Sequence, residues 1–167
     1  MLRIGITGQN GFIGRHLYNT LSLVPGEFEI IEFKKDFFEQ GDLLDGFVSS
    51  CDTIVHLAAL NRHTEPKTIY EINLKLVEKL IVSLQRTGKT PHIVFSSSTQ
   101  EDRDNPYGRS KKSGRNLLYQ WAKQAEGNFT GMIIPNVFGP FGRPHYNSVV
   151  ATFCYQLTPT ELPRIDA

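Results

Sequence analysis

Short apolar runs alternate along the chain with stretches whose apolar residues recur every three or four positions, and this predicts strands and helices in turn. Leu2, Ile4 and Ile6 make the first run, which leads into Thr7-Gly8-Gln9-Asn10-Gly11-Phe12-Ile13-Gly14. Ile13, Leu17, Leu21 and Val24 follow at helical spacing until Pro25-Gly26 closes the helix. Glu27 to Phe33 predicts a second strand, Phe37 and Phe38 a brief third, and Gly41-Asp42-Leu43-Leu44-Asp45 a turn into a short helix. Asp52 to Ala59 predicts a buried strand ending in small residues. Pro66 to Arg86 predicts the best helix, with Ile69, Ile72, Leu76, Leu80 and Leu84 on one face and Gly88 as its stop. His92 to Ser96 predicts a strand followed by a serine-rich turn, Tyr107 to Ala125 a helix, and Thr130 to Ile134 a strand ended by Pro135. A last helix is expected over Ser148 to Leu157.

Strands alternating with helices imply crossover connections and a parallel sheet, so the expected class is α/β: a Rossmann-like doubly wound parallel sheet with helices on both faces. Ligands of such sheets sit at the carboxyl ends of the strands. The turns at Gly8 to Gly14, Ala58 to Asn61, Ser96 to Ser98 and Asn136 all fall there.

At 167 residues the chain suits one domain, and a domain of that size buries about two-thirds of its unfolded surface. A formal net charge of +1 with 21% charged residues argues against nucleic acid or a membrane surface as partner and favours a small molecule. Cys51 and Cys154 lie far apart, and no metal-ligand spacing occurs among the cysteines and histidines, so no metal is expected. Both thiols are expected reduced and buried, in a cytoplasmic protein. Met1 runs straight into the first strand, so no signal peptide is expected, and no apolar run is long enough to span a bilayer.

Gly8, Gly11 and Gly14 follow a strand and open a helix, where unpaired N–H groups at the positive end of the helix dipole favour a phosphate. Tyr107 and Lys111 lie four apart on one helix face. An ammonium beside a phenol favours the phenolate, which would bring Tyr107 into range to exchange a proton with a carbonyl or alcohol oxygen. Ser98 closes a strand at the same sheet edge and could hold that oxygen. The other cations of this helix, Arg109, Lys112 and Arg115, read together with Lys111 as a solvated face. His56 reads as core, and His63 and His145 as loop residues.

Thr7 to Gly14, Gly41-Asp42-Leu43, His56-Leu57-Ala58-Ala59, Asn73, Ser96-Ser97-Ser98, Tyr107-x-x-x-Lys111 and Pro135-Asn136-Val137-Phe138-Gly139-Pro140 occur in this order. The sequence therefore resembles the extended short-chain dehydrogenase/reductase family of nucleotide-sugar epimerases, dehydratases and reductases, over essentially its whole length. Three features are most similar to the reductase domain of capsular-polysaccharide enzymes acting on a UDP-linked 4-keto-6-deoxy-N-acetylhexosamine. These are the short gap from Ser98 to Tyr107, Asn105-Pro106-Tyr107-Gly108, and the stretch from Tyr146 to Tyr155.

The resemblance implies that Tyr107 is the general acid, that Lys111 holds the nicotinamide ribose and tunes Tyr107, and that Ser98 orients the substrate carbonyl. It implies a cofactor site of Thr7, Gly8, Gln9, Asn10, Gly11, Phe12, Ile13 and Gly14 at the pyrophosphate. Asp42 and Leu43 would meet the adenine, and Leu57, Ala58, Ala59, Ser96 and Pro135 would complete the site together with Tyr107 and Lys111. Asn61, Ser98, Asn136, Tyr146 and Asn147 would meet a UDP-sugar, and a homodimer through the helices at 66–86 and 107–125 is expected. Lys34 and Lys35 at the end of the second strand favour NADP over NAD, while Glu32 and Asp36 leave NAD open.

Two departures stand out. Ile133 and Ile134 occupy positions where relatives often carry an arginine, and the smaller substrate subdomain of the resembling enzymes is largely missing, as expected of a fragment. Thr99 and Gln100 follow Ser98 where 4,6-dehydratases carry an Asp-Glu pair, which argues against dehydration. A nucleotide-sugar epimerase with tightly bound NAD, or a non-catalytic dinucleotide-binding module, stays an alternative to the reductase.

Overall fold

The first strand, β1 (Leu2–Thr7), buries Ile4, Gly5, Ile6 and Thr7 in succession, as a strand covered on both faces must. The computed structural model describes residues 1–158. The helices and strands that follow are α1 (Phe12–Ser22), β2 (Phe28–Ile31), α2 (Gly41–Ser50), β3 (Thr53–His56), α3 (Pro66–Thr87), β4 (His92–Ser98), α4 (Pro106–Gln124), β5 (Phe129–Ile134) and α5 (Val149–Leu157). The five strands form one sheet in the order β2-β1-β3-β4-β5, and β1 pairs in parallel with β2 and β3, as does β3 with β4.

Alternation along the strands sorts the core into two layers. Ile54, Ile93 and Phe95 point to the side where Leu44, Phe47 and Val48 of α2, Val77, Leu80 and Leu84 of α3, and Leu118 and Trp121 of α4 close the larger cluster. Ile4, Ile6 and Val55 point the other way, against Leu17 and Leu21 of α1. The helices therefore cover both faces, and the doubly wound reading holds. Gly5 belongs to the first face and leaves room for α2: a Cβ there would lie 2.3 Å from the Phe47 ring and 2.5 Å from Cys51 Sγ.

The chain divides into two compact units, Met1–Ile133 and Ile134–Ala167. In the second, Ser148 caps α5 by accepting from Ala151 N at 3.2 Å, and His145 N donates to Thr152 Oγ1 at 2.9 Å. The His145 ring meets Tyr155 edge to face, and the Arg143 guanidinium lies 5.2 Å from the Tyr146 ring centroid.

The expected strand at Phe37 and Phe38 is instead a 3₁₀ helix, Lys35–Glu39. Adjacent residues of a strand face opposite ways, whereas here both rings turn to Phe33, with centroids 5.5 and 5.1 Å away. The serines expected in a turn continue β4 through Ser98. Ile72 is exposed, and Asn73 takes the place in the core that the apolar stripe assigned to it. Cys51 is buried as expected, with burial pushing its thiol up to about 12, but Cys154 is exposed. Among the described residues no helix is long and apolar enough to cross a membrane.

Candidate active site

The strand order reverses direction between β1 and β3, which opens a crevice at their carboxyl ends. Thr7 and His56 are register partners there, with Thr7 Oγ1 2.8 Å from His56 Nδ1, and the chains beyond them stay together through Leu57 N donating to Thr7 O at 3.1 Å. Gly8 turns the chain at φ 77°, and a Cβ on it would sit 2.7 Å from Ala58 N. This brings the glycine turn against Leu57 and Ala58, two segments the sequence placed in one site.

Gly11 N donates to Gly8 O at 2.9 Å, closing the turn, and Gly11 then serves as N-cap of α1 without a side-chain bond. Gly14 packs on the turn from inside the helix, where a Cβ would lie 2.3 Å from Gly8 O. The first turn of α1 carries no acidic residue. A bare, glycine-lined helix start with its amides uncapped fits the phosphates of a dinucleotide. Lys34 and Lys35 follow β2, and Lys34 Nζ lies 3.4 Å from Glu32 in an exposed pair. Asp42 stands in the first turn of α2, and Leu43 beside it is exposed.

On the other side of β3, Lys111 is 3% exposed, and its Nζ donates to Ser96 O at 2.9 Å. It lies 5.7 Å from the Tyr107 ring centroid and 5.0 Å from that of Phe95. Lys111 is thus no part of a solvated face. Burial pulls its ammonium down to about 8, partly opposed by the Glu101 carboxylate. Burial also pushes the Tyr107 phenol up, contrary to the expectation that Lys111 would bring it down. The physical reason is geometric: the ammonium is bonded to a carbonyl oxygen and faces the ring, while the half-buried phenol has lost water.

Ser98 is buried at the end of β4, and its Oγ accepts from Gln100 N at 3.2 Å. With that lone pair occupied, its hydroxyl proton is left to donate to an incoming oxygen. Asn105 caps α4 by accepting from Gly108 N at 2.8 Å, with Pro106 in the first turn, so Tyr107 enters on a fixed helix start.

Sequence reasoning missed what Asn73 does. Its Oδ1 accepts from Leu60 N at 2.6 Å, while Nδ2 donates to Leu60 O at 3.1 Å and Ser110 Oγ at 3.0 Å. One buried amide thus joins α3 to the segment after β3 and to the helix of Tyr107 and Lys111. Its signal was an amide at a position where the helical stripe asks for an apolar residue. His56 is core as expected: it stacks on Phe95, its Nε2 has no hydrogen-bond partner, and burial pulls it down to about 3. Asn61 is exposed beyond Leu60; Pro135, Asn136, Tyr146 and Asn147 belong to the second unit. No group of metal-ligating side chains occurs among the described residues.

Residues 4–162 match the family described as NAD dependent epimerase/dehydratase. The UDP-2-acetamido-2,6-beta-L-arabino-hexul-4-ose reductase of Pseudomonas aeruginosa is 33% identical over 156 residues, covering 93% of this chain and 41% of that protein. Among solved structures, the capsular polysaccharide assembling protein CapF from Staphylococcus aureus is 32% identical with a TM-score of 0.79, over 99% of this chain and 43% of CapF. RMD from Pseudomonas aeruginosa, complexed with NADPH, has the same fold at a TM-score of 0.82 and 22% identity, over 94% of this chain and 61% of RMD. The chain therefore spans about two-fifths of the length of the reductase and of CapF.

Proposed function

The chain belongs to the NAD dependent epimerase/dehydratase family, and on that footing we propose that it reduces the keto group of a nucleotide-linked 4-keto-6-deoxy sugar of the UDP-N-acetylhexosamine type, with NADPH, in surface polysaccharide biosynthesis. The reading is supported by the reductase from Pseudomonas aeruginosa and by CapF, whose names describe a UDP-keto-sugar reductase and a capsular polysaccharide assembling protein. The observation that carries it is Lys111, buried with its ammonium on Ser96 O and facing the Tyr107 ring beside the glycine-turn crevice.

When bound, the dinucleotide would supply the hydride for the carbonyl carbon. Ser98 Oγ donates a hydrogen bond to the carbonyl oxygen and so fixes its direction. Tyr107 Oη delivers the proton that oxygen needs, which completes the alcohol; a phenol held up by burial keeps that proton at neutral pH. Lys111 holds the nicotinamide ribose and places positive charge beside Tyr107 as it becomes a phenolate. The residues from Thr7 to Gly14 would receive the pyrophosphate, Asp42 and Leu43 the adenine, and Leu57, Ala58, Ala59 and Ser96 the nicotinamide half. Lys34 and Lys35 meet the 2′-phosphate, whose charge they complement. Within the first unit, Asn61 would meet the nucleotide-sugar. Met1–Ile133 serves as a dinucleotide-binding unit, paired as a homodimer through α3 and α4, in the cytoplasm.

Titration calorimetry with NADPH and NADH, followed by turnover of a UDP-4-keto sugar, tests this reading. NADPH is expected to bind more tightly than NADH, and Tyr107→Phe to lower kcat by about 10²-fold or more. Equal turnover by Tyr107→Phe sinks the mechanism, and tighter NADH binding sinks the assignment of Lys34 and Lys35.

A further inference from the structure

Resting on the reductase reading, we propose that Glu101 and Arg115 are positioning residues: the ion pair between buried Glu101 and half-buried Arg115 ties the connection that starts at Ser98 to the helix that carries Tyr107 and Lys111. Glu101 stands in a 3₁₀ helix, Thr99–Asp102, and Arg115 in α4. Arg115 Nε lies 2.9 and 3.1 Å from the two Glu101 oxygens, and Nη2 donates to Oε2 at 2.7 Å. Ser97 Oγ donates to the same carboxylate from β4. One carboxylate thus gathers the strand next to Ser98, the 3₁₀ turn and the helix.

The site is built for this fork. Glu101 is 7% exposed, so its charge is retained only because donors surround it. Gly131 of β5 makes room for the arginine stem: a Cβ there would lie 2.8 Å from Arg115 Cδ and 3.1 Å from Cγ. The rest of the connection closes on itself. Asn105 Nδ2 donates to Gln100 Oε1 at 3.3 Å, and Arg103 N donates to Gln100 O at 2.9 Å. Gly108 lies so near Gln100 that a Cβ would fall 2.0 Å from its carbonyl oxygen. Ser98 and Tyr107 must meet one carbonyl oxygen together, and this short segment joins them along the chain, beside the Lys111–Ser96 bond between α4 and β4. Neither Glu101 nor Arg115 touches the reacting atoms in this scheme.

Glu101 also faces Lys111 electrostatically. The charged and titratable groups around that ammonium are Glu101 from the 3₁₀ turn, Tyr107 on its own helix and the neutral His56 of β3. Removing the Glu101 charge is therefore expected to move the alkaline limb of the pH profile to lower pH as well.

The test compares the wild-type chain with Glu101→Gln and with Arg115→Lys, which keeps the charge but loses the fork. Backbone amide exchange is followed at Gln100, Arg103 and Gly108, and kcat, KM and the NADPH dissociation constant are measured in parallel. Glu101→Gln is expected to speed exchange at those three amides at least tenfold while β1 and β3 keep their protection. It is expected to lower kcat by about 10²-fold, the size of effect a misplacement of about 1 Å produces, with NADPH affinity within twofold. Arg115→Lys is expected to fall between. Unchanged exchange at the three amides overturns the proposal, as does acceleration spread evenly over the sheet, which marks general destabilisation. A wild-type chain without keto-sugar turnover sinks the reductase reading, and the exchange data then decide whether the tie exists.

Discussion

Lys111 shows how burial fixes the chemistry a residue offers. Its carbon chain is covered by the core, and its ammonium keeps one strong bond, to Ser96 O. With its proton held only to about 8, against 10.5 for a free lysine, the charged form is lost in a range easily reached in solution. NADPH affinity, followed by nucleotide fluorescence, is expected to be flat from pH 6.5 to 7.5 and to weaken as pH rises through about 8. Lys111→Met should bind more weakly and show no such limb. An affinity that stays flat to pH 9.5 in the wild type removes Lys111 from the cofactor site. The folding linkage runs the other way. Between about 8 and 10.5 the unfolded lysine holds more protons than the folded one, so rising pH favours the fold in that window.

At the scale of elements, the site depends on helices and loops being joined at a few buried polar points. Asn73 is the clearest, with three hydrogen bonds to Leu60 and Ser110 and 5% exposure. Asn73→Ala leaves the Leu60 amide and carbonyl without their partner, at a cost of about 1–3 kcal/mol, measurable by urea unfolding. NADPH affinity is expected to fall as well, because Leu57 to Leu60 lose their tether to α3; unchanged affinity would mean that Ala58 and Ala59 do not line the cofactor. The strand–helix alternation and the glycine turn were legible in the sequence because periodicity and turn chemistry are local. So were the register of Tyr107 with Lys111 and the core place of His56, since each depends on neighbours within one element. The 3₁₀ helix at Phe37 and Phe38 was not legible, because aromatic residues suit strands and only packing on Phe33 turns both rings inward. The Asn73 tether and the Glu101–Arg115 fork escaped for another reason. Their partners lie 13 to 37 residues apart in the first case and 14 in the second, beyond any local pattern.

Across the whole molecule, below neutral pH, the paired carboxylates and the buried His56 give stability one direction with pH. Arg3 holds Asp52 down to about 2, and Arg86, Lys79 and Arg115 with Ser97 hold Asp45, Glu39 and Glu101 below the usual carboxylate range. These contributions are present above the ordinary carboxylate values and are lost as the carboxylates protonate in strong acid. His56 acts earlier. The folded ring stays neutral down to about 3, whereas an unfolded histidine takes up a proton near 6.5. Between those values the unfolded chain binds the extra proton, so stability falls as pH drops through the window. The structural cause is first burial, which strips the ring of water, and then the nearby Lys111 charge, with Nε2 left without a partner to stabilise an imidazolium. Urea unfolding at pH 7.5, 6.5, 5.5 and 4.5 is expected to show a steady loss in the wild type. His56→Leu should be less stable at pH 7.5, because Thr7 Oγ1 loses its 2.8 Å partner, yet nearly level down to pH 5.5. If the variant keeps the wild-type slope over that range, the pH dependence comes from elsewhere and the β1–β3 crevice is not where acid first acts.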